Sequence, residues 1–101
     1  MRILWSDLAK AQLNEIYRYY KEVAGVKVAR SIKNKIIKKP SLLIKQPEMG
    51  QLEDNPMVAY RGYRYLVEGN YKIVYKIYDE DKGILISTVF DTRQNPTKLS
   101  V

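Results

Sequence analysis

The stretch YRYLVEGNYKIVYKI, residues 63–77, decides the fold, because its aromatic and apolar side chains recur at every second position. A period of two is typical of a β-strand with one buried face. Glu68, Gly69 and Asn70 interrupt this alternation with residues that favour a turn. The stretch therefore predicts two antiparallel strands joined as a hairpin.

The length of the hairpin loop decides which side chains share a face. A three-residue loop over residues 68–70 pairs Val67 with Tyr71 and sorts one apolar set onto a single face. That set is Tyr63, Tyr65, Val67, Tyr71, Ile73 and Tyr75. The opposite face then holds Arg64, Lys72 and Lys76 around Leu66 and Val74. A two-residue loop, Gly69-Asn70, is the alternative, but it places Arg64 beneath the face of Ile73, so the sorted arrangement is preferred.

Two helices are predicted before the hairpin. Ser6 occupies an N-cap position, Asp7 complements the helix dipole in the first turn, and Gly25 marks the end of the first helix. Its apolar stripe is Ala9, Leu13, Ile16, Tyr17 and Tyr20. A second stripe comprises Ala29, Ile32, Ile36, Pro40 and Leu43. Pro40 should follow a break near Lys39 as the first residue of a short terminal turn.

The remaining segments complete a small α+β domain. Residues 46–57 have the composition of a loop, and residues 84–90 predict a third strand inside the sheet, because both of its faces are apolar. Arg2–Leu4 is a short apolar piece before the first helix. We predict one domain, residues 1–101, with an N-terminal strand and a two-helix hairpin packed on one face of an antiparallel β-sheet.

Composition excludes several classes of function. The chain has no cysteine and no histidine, so it lacks the soft and imidazole ligands that build zinc, copper and iron–sulfur sites, and it lacks the usual general base. We expect no metal and no other cofactor. No run of eighteen apolar residues and no secretory signal pattern occurs, so we expect a cytoplasmic protein that does not interact with membranes.

The net charge of +7 is concentrated in residues 24–47, which contain no acidic side chain. The basic residues there are Lys27, Arg30, Lys33, Lys35, Lys38, Lys39 and Lys45. Such a block favours a polyanionic partner, either nucleic acid or an acidic protein segment, although a solvated helix face is an equally good explanation. Lys33, Lys35 and Lys38 are candidates for target or nucleic-acid binding.

A second group of candidates is gathered on or beside the sheet face expected to be free of helices and is interleaved with tyrosines. Cations can hold phosphates and tyrosines can stack on bases, so we single out Arg64, Lys72 and Arg93 as catalytic candidates and Lys76, Tyr63 and Tyr65 as binding candidates. Asp91 could act as a carboxylate base, although a local pair with Arg93 is the commoner arrangement. An exposed sheet face with protective lysines would explain the same pattern.

These segments together resemble the RelE/ParE toxins of type II toxin-antitoxin modules. The resemblance extends from Ile3-Leu4-Trp5-Ser6 through the first helix and the loop with Pro47 and Gly50. It is strongest in three segments: residues 63–67, residues 69–75 and the segment Val89-Phe90-Asp91-Thr92-Arg93-Gln94-Asn95-Pro96. The order and spacing of these motifs, more than any one of them, carry the assignment.

The resemblance implies a growth-inhibiting toxin that a cognate antitoxin neutralises, in a toxin-antitoxin hetero-oligomer. RelE-like members cleave ribosome-bound mRNA, whereas ParE-like members poison DNA gyrase, and the shared fold does not separate the two. RelE-like nucleases pair basic residues similar to Arg64, Lys72 and Arg93 with a C-terminal Tyr or His. Here that region reads Thr97-Lys98-Leu99, and neither Tyr nor His follows Tyr78.

This departure favours a ParE-like gyrase poison. The alternatives are a RelE-like, metal-independent mRNA endoribonuclease and a non-toxic nucleic-acid-binding or protein-binding module. In such a module the basic second helix, rather than the sheet, would be the working surface.

Overall fold

The computed structural model describes residues 2–53, 61–78 and 83–93. In chain order the elements are β1 (Arg2–Trp5), α1 (Asp7–Ala24), α2 (Val26–Lys38), a 3-10 helix η1 (Lys39–Ile44), β2 (Gln51–Leu52), β3 (Arg64–Glu68), β4 (Tyr71–Tyr78) and β5 (Gly83–Asp91). Residues 54–57 of the predicted loop, residues 79–82 and the segment from residue 94 onward lie outside the described residues.

The strands form one five-stranded sheet in the order β1-β5-β4-β3-β2. Strands β3, β4 and β5 make the predicted antiparallel meander. The sheet is nevertheless mixed, because β1 pairs with β5 in parallel from Arg2↔Gly83 to Trp5↔Ile86. The two-residue β2, in the segment predicted as loop, pairs with β3 at the other edge. The α+β class is confirmed, with two helices packed on this mixed sheet.

Ser6 fixes the junction between β1 and α1. Its hydroxyl oxygen accepts the Ala9 N–H at 3.0 Å, as an N-cap should, and its hydroxyl donates to the Ser87 carbonyl at 2.7 Å. Gly25, with φ of 95°, separates α1 from α2 in a conformation that favours glycine. Pro40 lies in the first turn of η1, as its sequence position predicts.

The helices bury their predicted stripes against one face of the sheet. Ile73, Tyr75, Ile84 and Ile86 are fully buried there. From the helical side the core receives Ala9, Leu13, Ile36 and Leu43, with Ile16, Tyr20 and Ile32 packed at its margin. The interior position predicted for the third strand is confirmed, because β5 lies between β1 and β4.

The predicted register of the β3–β4 hairpin is wrong. Glu68 pairs with Tyr71, so the loop is the two-residue Gly69-Asn70 alternative, and Gly69 adopts a φ of 60°. This register pairs Leu66 with Ile73 and moves Tyr63, Tyr65 and Val67 off the core face. Arg64, opposite Tyr75, lies on the helix-covered face instead.

A bulge in β5 ties the sheet to α1. The register shifts between Val74↔Thr88 and Tyr75↔Ile86, which leaves Ser87 as the extra residue. The side-chain oxygen of Gln12 on α1 accepts the Val89 N–H at 2.7 Å and the Thr88 hydroxyl at 2.8 Å. One glutamine thus satisfies two polar groups beside the interrupted ladder.

The burial of Ile73 gives a direct test of the core face. Ile73→Ala should lower the free energy of unfolding by about 2 to 5 kcal/mol, because it removes fully buried methyl groups and leaves a cavity. Urea denaturation followed by circular dichroism measures this loss. Val67→Ala is the matched control, since Val67 is 47% exposed and its loss should be small. Equal losses in both variants would contradict the assigned faces.

Candidate functional site

The sheet face opposite the helices, here called the second face, carries alternating tyrosines and lysines. Tyr65 lies opposite Val74, and Val67 lies opposite Lys72. Tyr63 and Val74 form a small buried cluster with Tyr65 packed against it. Two of the candidates, Lys72 and Lys76, therefore project from β4 on this face. They lie beside Tyr65 of β3 and Tyr63, which immediately precedes β3.

Lys72 is already engaged in a local charge pair. Its Nζ lies 3.1 Å from Oε1 of Glu53 and 4.1 Å from the centroid of the Tyr65 ring. The side chains of Lys72 and Glu53 are only 17% and 3% exposed. The Tyr65 hydroxyl donates to Gln51 Oε1 at 2.8 Å. These contacts link β4 to the β2 edge, and removing either charge from such a desolvated pair is costly.

Lys76 and Arg61 converge on another ring. Lys76 Nζ lies 5.3 Å from the centroid of the Tyr63 ring, and the guanidinium carbon of Arg61 lies 5.6 Å from it. Both distances are within the range of cation–π attraction. Tyr63 is only 7% exposed, so its ring supports the two cations and leaves little surface for stacking.

Arg64 lies away from the predicted group, on the helix-covered side of the sheet. Its Nη1 donates to the Gly50 carbonyl at 2.8 Å. In the same place the Tyr75 hydroxyl donates to the Pro47 carbonyl at 2.7 Å and accepts the Gly50 N–H at 3.0 Å. A Cβ at Gly50 would lie 2.6 Å from that hydroxyl, so glycine is required for this close approach. Arg64 and Tyr75 together hold the loop that precedes β2.

Arg93 and Asp91 form the local pair expected of them. Arg93 Nε and Nη2 donate to the two Asp91 carboxylate oxygens at 3.0 and 2.9 Å, and the Arg93 N–H donates to Oδ1 at 2.9 Å. These hydrogen bonds from Arg93 hold the pKa of Asp91 below its ordinary value. A carboxylate stabilised in its charged form is a poor proton acceptor, which weakens the case for Asp91 as a general base.

The Asp91–Arg93 pair borders a groove of about 480 Å³ between α1 and the ends of β4 and β5. Tyr71 lies in its wall, with its hydroxyl 3.4 Å from that of Tyr20. Burial raises the pKa of Tyr71, and the hydrogen bond with Tyr20 raises it further. This groove lies on the helix side, so Arg93 and Lys76 are on different faces of the sheet.

The predicted binding lysines of α2 also separate from the second face, because the helices cover the other side of the sheet. Lys35 and Lys38 are exposed. Lys33 is half-buried, with its Nζ 5.2 Å from the centroid of the Tyr17 ring on α1. The molecule thus has two separate basic surfaces, one on α2 and one around Lys76.

The structure therefore brings together only part of the predicted group. Lys72, Lys76, Tyr63 and Tyr65 share the second face, whereas Arg64, Arg93 and Asp91 do not. Sequence analysis overlooked Arg61 and Glu53; the arginine two residues before Tyr63 was the available signal for a second cation at this ring. The roles of all these residues in function stay predictions.

Within residues 2–53, 61–78 and 83–93, no three acidic side chains come together in a way that could hold a metal ion. No helix in these ranges is both long and apolar enough to cross a bilayer.

Comparison with known proteins identifies relatives over nearly the whole chain. The family model described as the ParE toxin of the type II toxin-antitoxin system, parDE, matches residues 3–96. A solved structure described as the chromosomal ParDE TA system from P. aeruginosa has a similar chain, with a TM-score of 0.75 and 21% identity. The match covers 90% of this chain and 95% of that one, and it supports the fold. A comparison with curated proteins gave no match.

Tyr75 offers a test of the loop anchor. Tyr75→Phe should destabilise the protein by about 1 to 3 kcal/mol, because it leaves the Gly50 N–H and the Pro47 carbonyl without their partner. Tyr65→Phe is the matched control, since its hydroxyl makes an exposed hydrogen bond with Gln51 and should matter much less. Thermal melting of both variants measures the difference; equal melting temperatures would contradict the anchoring role.

Tyr71 gives a prediction about alkaline pH. Because its pKa in the folded state is raised above 10.0, the unfolded chain loses this proton first as pH rises. The contribution of Tyr71 to the free energy of unfolding is complete below pH 10 and is lost as the pH rises toward the pKa of Tyr71 in the folded state. Tyr71→Phe should therefore flatten the alkaline fall in unfolding free energy, measured by urea titration across that range. Tyr19→Phe is the control, because this exposed ring can be changed while Tyr71 is kept, and the unfolding free energy should fall with pH as in the wild type. An equally steep fall in Tyr71→Phe would refute the assignment of this pH dependence to Tyr71.

Proposed function

The chain belongs to the ParE toxin family of type II toxin-antitoxin systems, and we propose that it inhibits bacterial growth by poisoning DNA gyrase. On this proposal a cognate antitoxin binds the toxin in a hetero-oligomer and suppresses its activity in the cytoplasm.

The observation that carries the gyrase proposal, as opposed to RNA cleavage, is the separation of the three basic catalytic candidates. A metal-independent ribonuclease must gather cations and a proton-transferring group around one phosphate. Here Arg64 donates to a backbone carbonyl on the helix side, and Arg93 is bound to Asp91 beside the groove. Lys72 is held by Glu53 on the second face. Such a distribution favours a binding function over phosphodiester chemistry.

The sequence supports the same choice. The chain has no histidine, and no tyrosine follows Tyr78, so the C-terminal segment offers neither of the aromatic acid–base groups expected of the RelE-like nucleases it resembles. The carboxylate that could replace them, Asp91, has a lowered pKa. Poisoning of gyrase requires no general acid or base from the toxin.

The partnership with an antitoxin is supported by charge. The net charge is +7, and α2 presents exposed basic residues without an acidic neighbour on the same helix. An acidic antitoxin segment would be attracted to this surface and would neutralise charge that otherwise destabilises close association. The relative from P. aeruginosa is described as a ParDE system, a name consistent with a two-component assembly.

The proposal is tested by brief induction of the protein in bacterial cells. We expect growth arrest with gyrase–DNA breaks trapped in a plasmid cleavage assay, and mRNA ends unchanged by primer extension. An induced frameshift version of the gene is the control, and co-expression of the cognate antitoxin should restore growth. Cuts within translated codons would replace this proposal with a RelE-like nuclease. Normal growth without either signal would replace it with a non-toxic binding module.

A further inference from the structure

We propose that Arg61 and Lys76, held on the Tyr63 ring, form a phosphate clamp that binds the backbone of duplex DNA. This inference rests on the proposed function in one respect: a poison of gyrase works on an enzyme that holds duplex DNA. The clamp would give the toxin its own contact with that DNA.

The geometry places two cations on one aromatic ring. The guanidinium carbon of Arg61 lies 5.6 Å and Lys76 Nζ lies 5.3 Å from the Tyr63 centroid. The ring is fixed in turn, because Tyr63 is 7% exposed and packs on the fully buried Val74. The cation–π contacts thereby restrict two long side chains that would lose more entropy if an anion had to order them from a free state.

The charges of these two residues are not neutralised locally. Across the described ranges, neither Arg61 nor Lys76 forms an ion pair, whereas Lys72, on the same face, is paired with Glu53 at 3.1 Å. Two positive charges held near one ring repel each other, and binding of an anion to them relieves this repulsion. Lys72, by contrast, is a lysine on this face whose charge is neutralised by an acidic neighbour, Glu53.

The chemistry of the clamp favours the phosphate backbone over the bases. Arginine and lysine both donate hydrogen bonds to phosphate oxygens. Single-stranded nucleic acids are bound largely by stacking of bases on aromatic rings. Tyr63 is only 7% exposed, and Lys72 Nζ lies 4.1 Å from the centroid of the Tyr65 ring, so a base stacking on either ring would compete with contacts already made. Duplex DNA, which presents phosphates outward and bases inward, fits this surface better.

The test is a titration of the full-length protein into a short fluorescent DNA duplex, followed by anisotropy at several salt concentrations. Arg61→Gln and Lys76→Gln should each weaken binding and lower the slope of log affinity against log salt by about 0.9, the value for one lost phosphate contact. Lys76→Arg should keep both affinity and slope. A melting temperature equal to that of the wild type establishes that a variant is folded. Because Arg61 is exposed, Arg61→Gln still tests the clamp if Lys76→Gln proves unstable.

Lys21→Gln, at an exposed lysine of α1, is the matched control and should change binding little. The clamp is refuted if wild-type protein does not bind the duplex, if Arg61→Gln keeps the full salt slope, or if Lys21→Gln lowers it equally. Tighter binding of single-stranded DNA or RNA of the same length through Arg61 would overturn the assignment to duplex DNA. Gyrase is absent from this titration, so its failure leaves the gyrase proposal standing, and a negative gyrase-cleavage assay leaves the clamp standing.

Discussion

The register of the β3–β4 hairpin is the constraint on which the rest of the structure depends. The two-residue turn at Gly69-Asn70, with Gly69 at a φ of 60°, pairs Glu68 with Tyr71 and fixes every pair behind it. Because side chains alternate along a strand, a shift of one residue would exchange the two faces of β3. The observed register puts Leu66 in the core with Ile73 and leaves Tyr63 and Tyr65 for the second face.

Local signals were sufficient to predict the helical half of the fold. Ser6, Gly25 and Pro40 act through the backbone of their own turns, so each could be recognised from its neighbours in sequence. The register could not be predicted in this way. An arginine on the helix-covered face is expected to lower stability, but Arg64 donates a hydrogen bond to the carbonyl of Gly50, fourteen residues earlier in the chain. Likewise, the parallel pairing of β1 with β5 joins residues about eighty positions apart.

The same distinction applies to the candidate site. The sequence singled out lysine and arginine among tyrosines as candidates, but grouping them required the correct faces. With the observed register, Lys76 and Arg61 share the Tyr63 ring, while Arg64 supports a loop and Arg93 pairs with Asp91. Family membership and this distribution of charge together favour a toxin that binds its target over one that cleaves RNA.

The central claim, that the hairpin register sorts these residues between two faces, is tested most directly by interstrand NMR contacts in the isotope-labelled protein. The account predicts backbone Hα–Hα contacts between Tyr65 and Val74 and between Val67 and Lys72, which lie directly opposite each other. Contacts between Leu66 and Lys72 and between Arg64 and Val74 would instead indicate a three-residue loop. That result would return Arg64 to the second face beside Lys76 and contradict the division of the site described here.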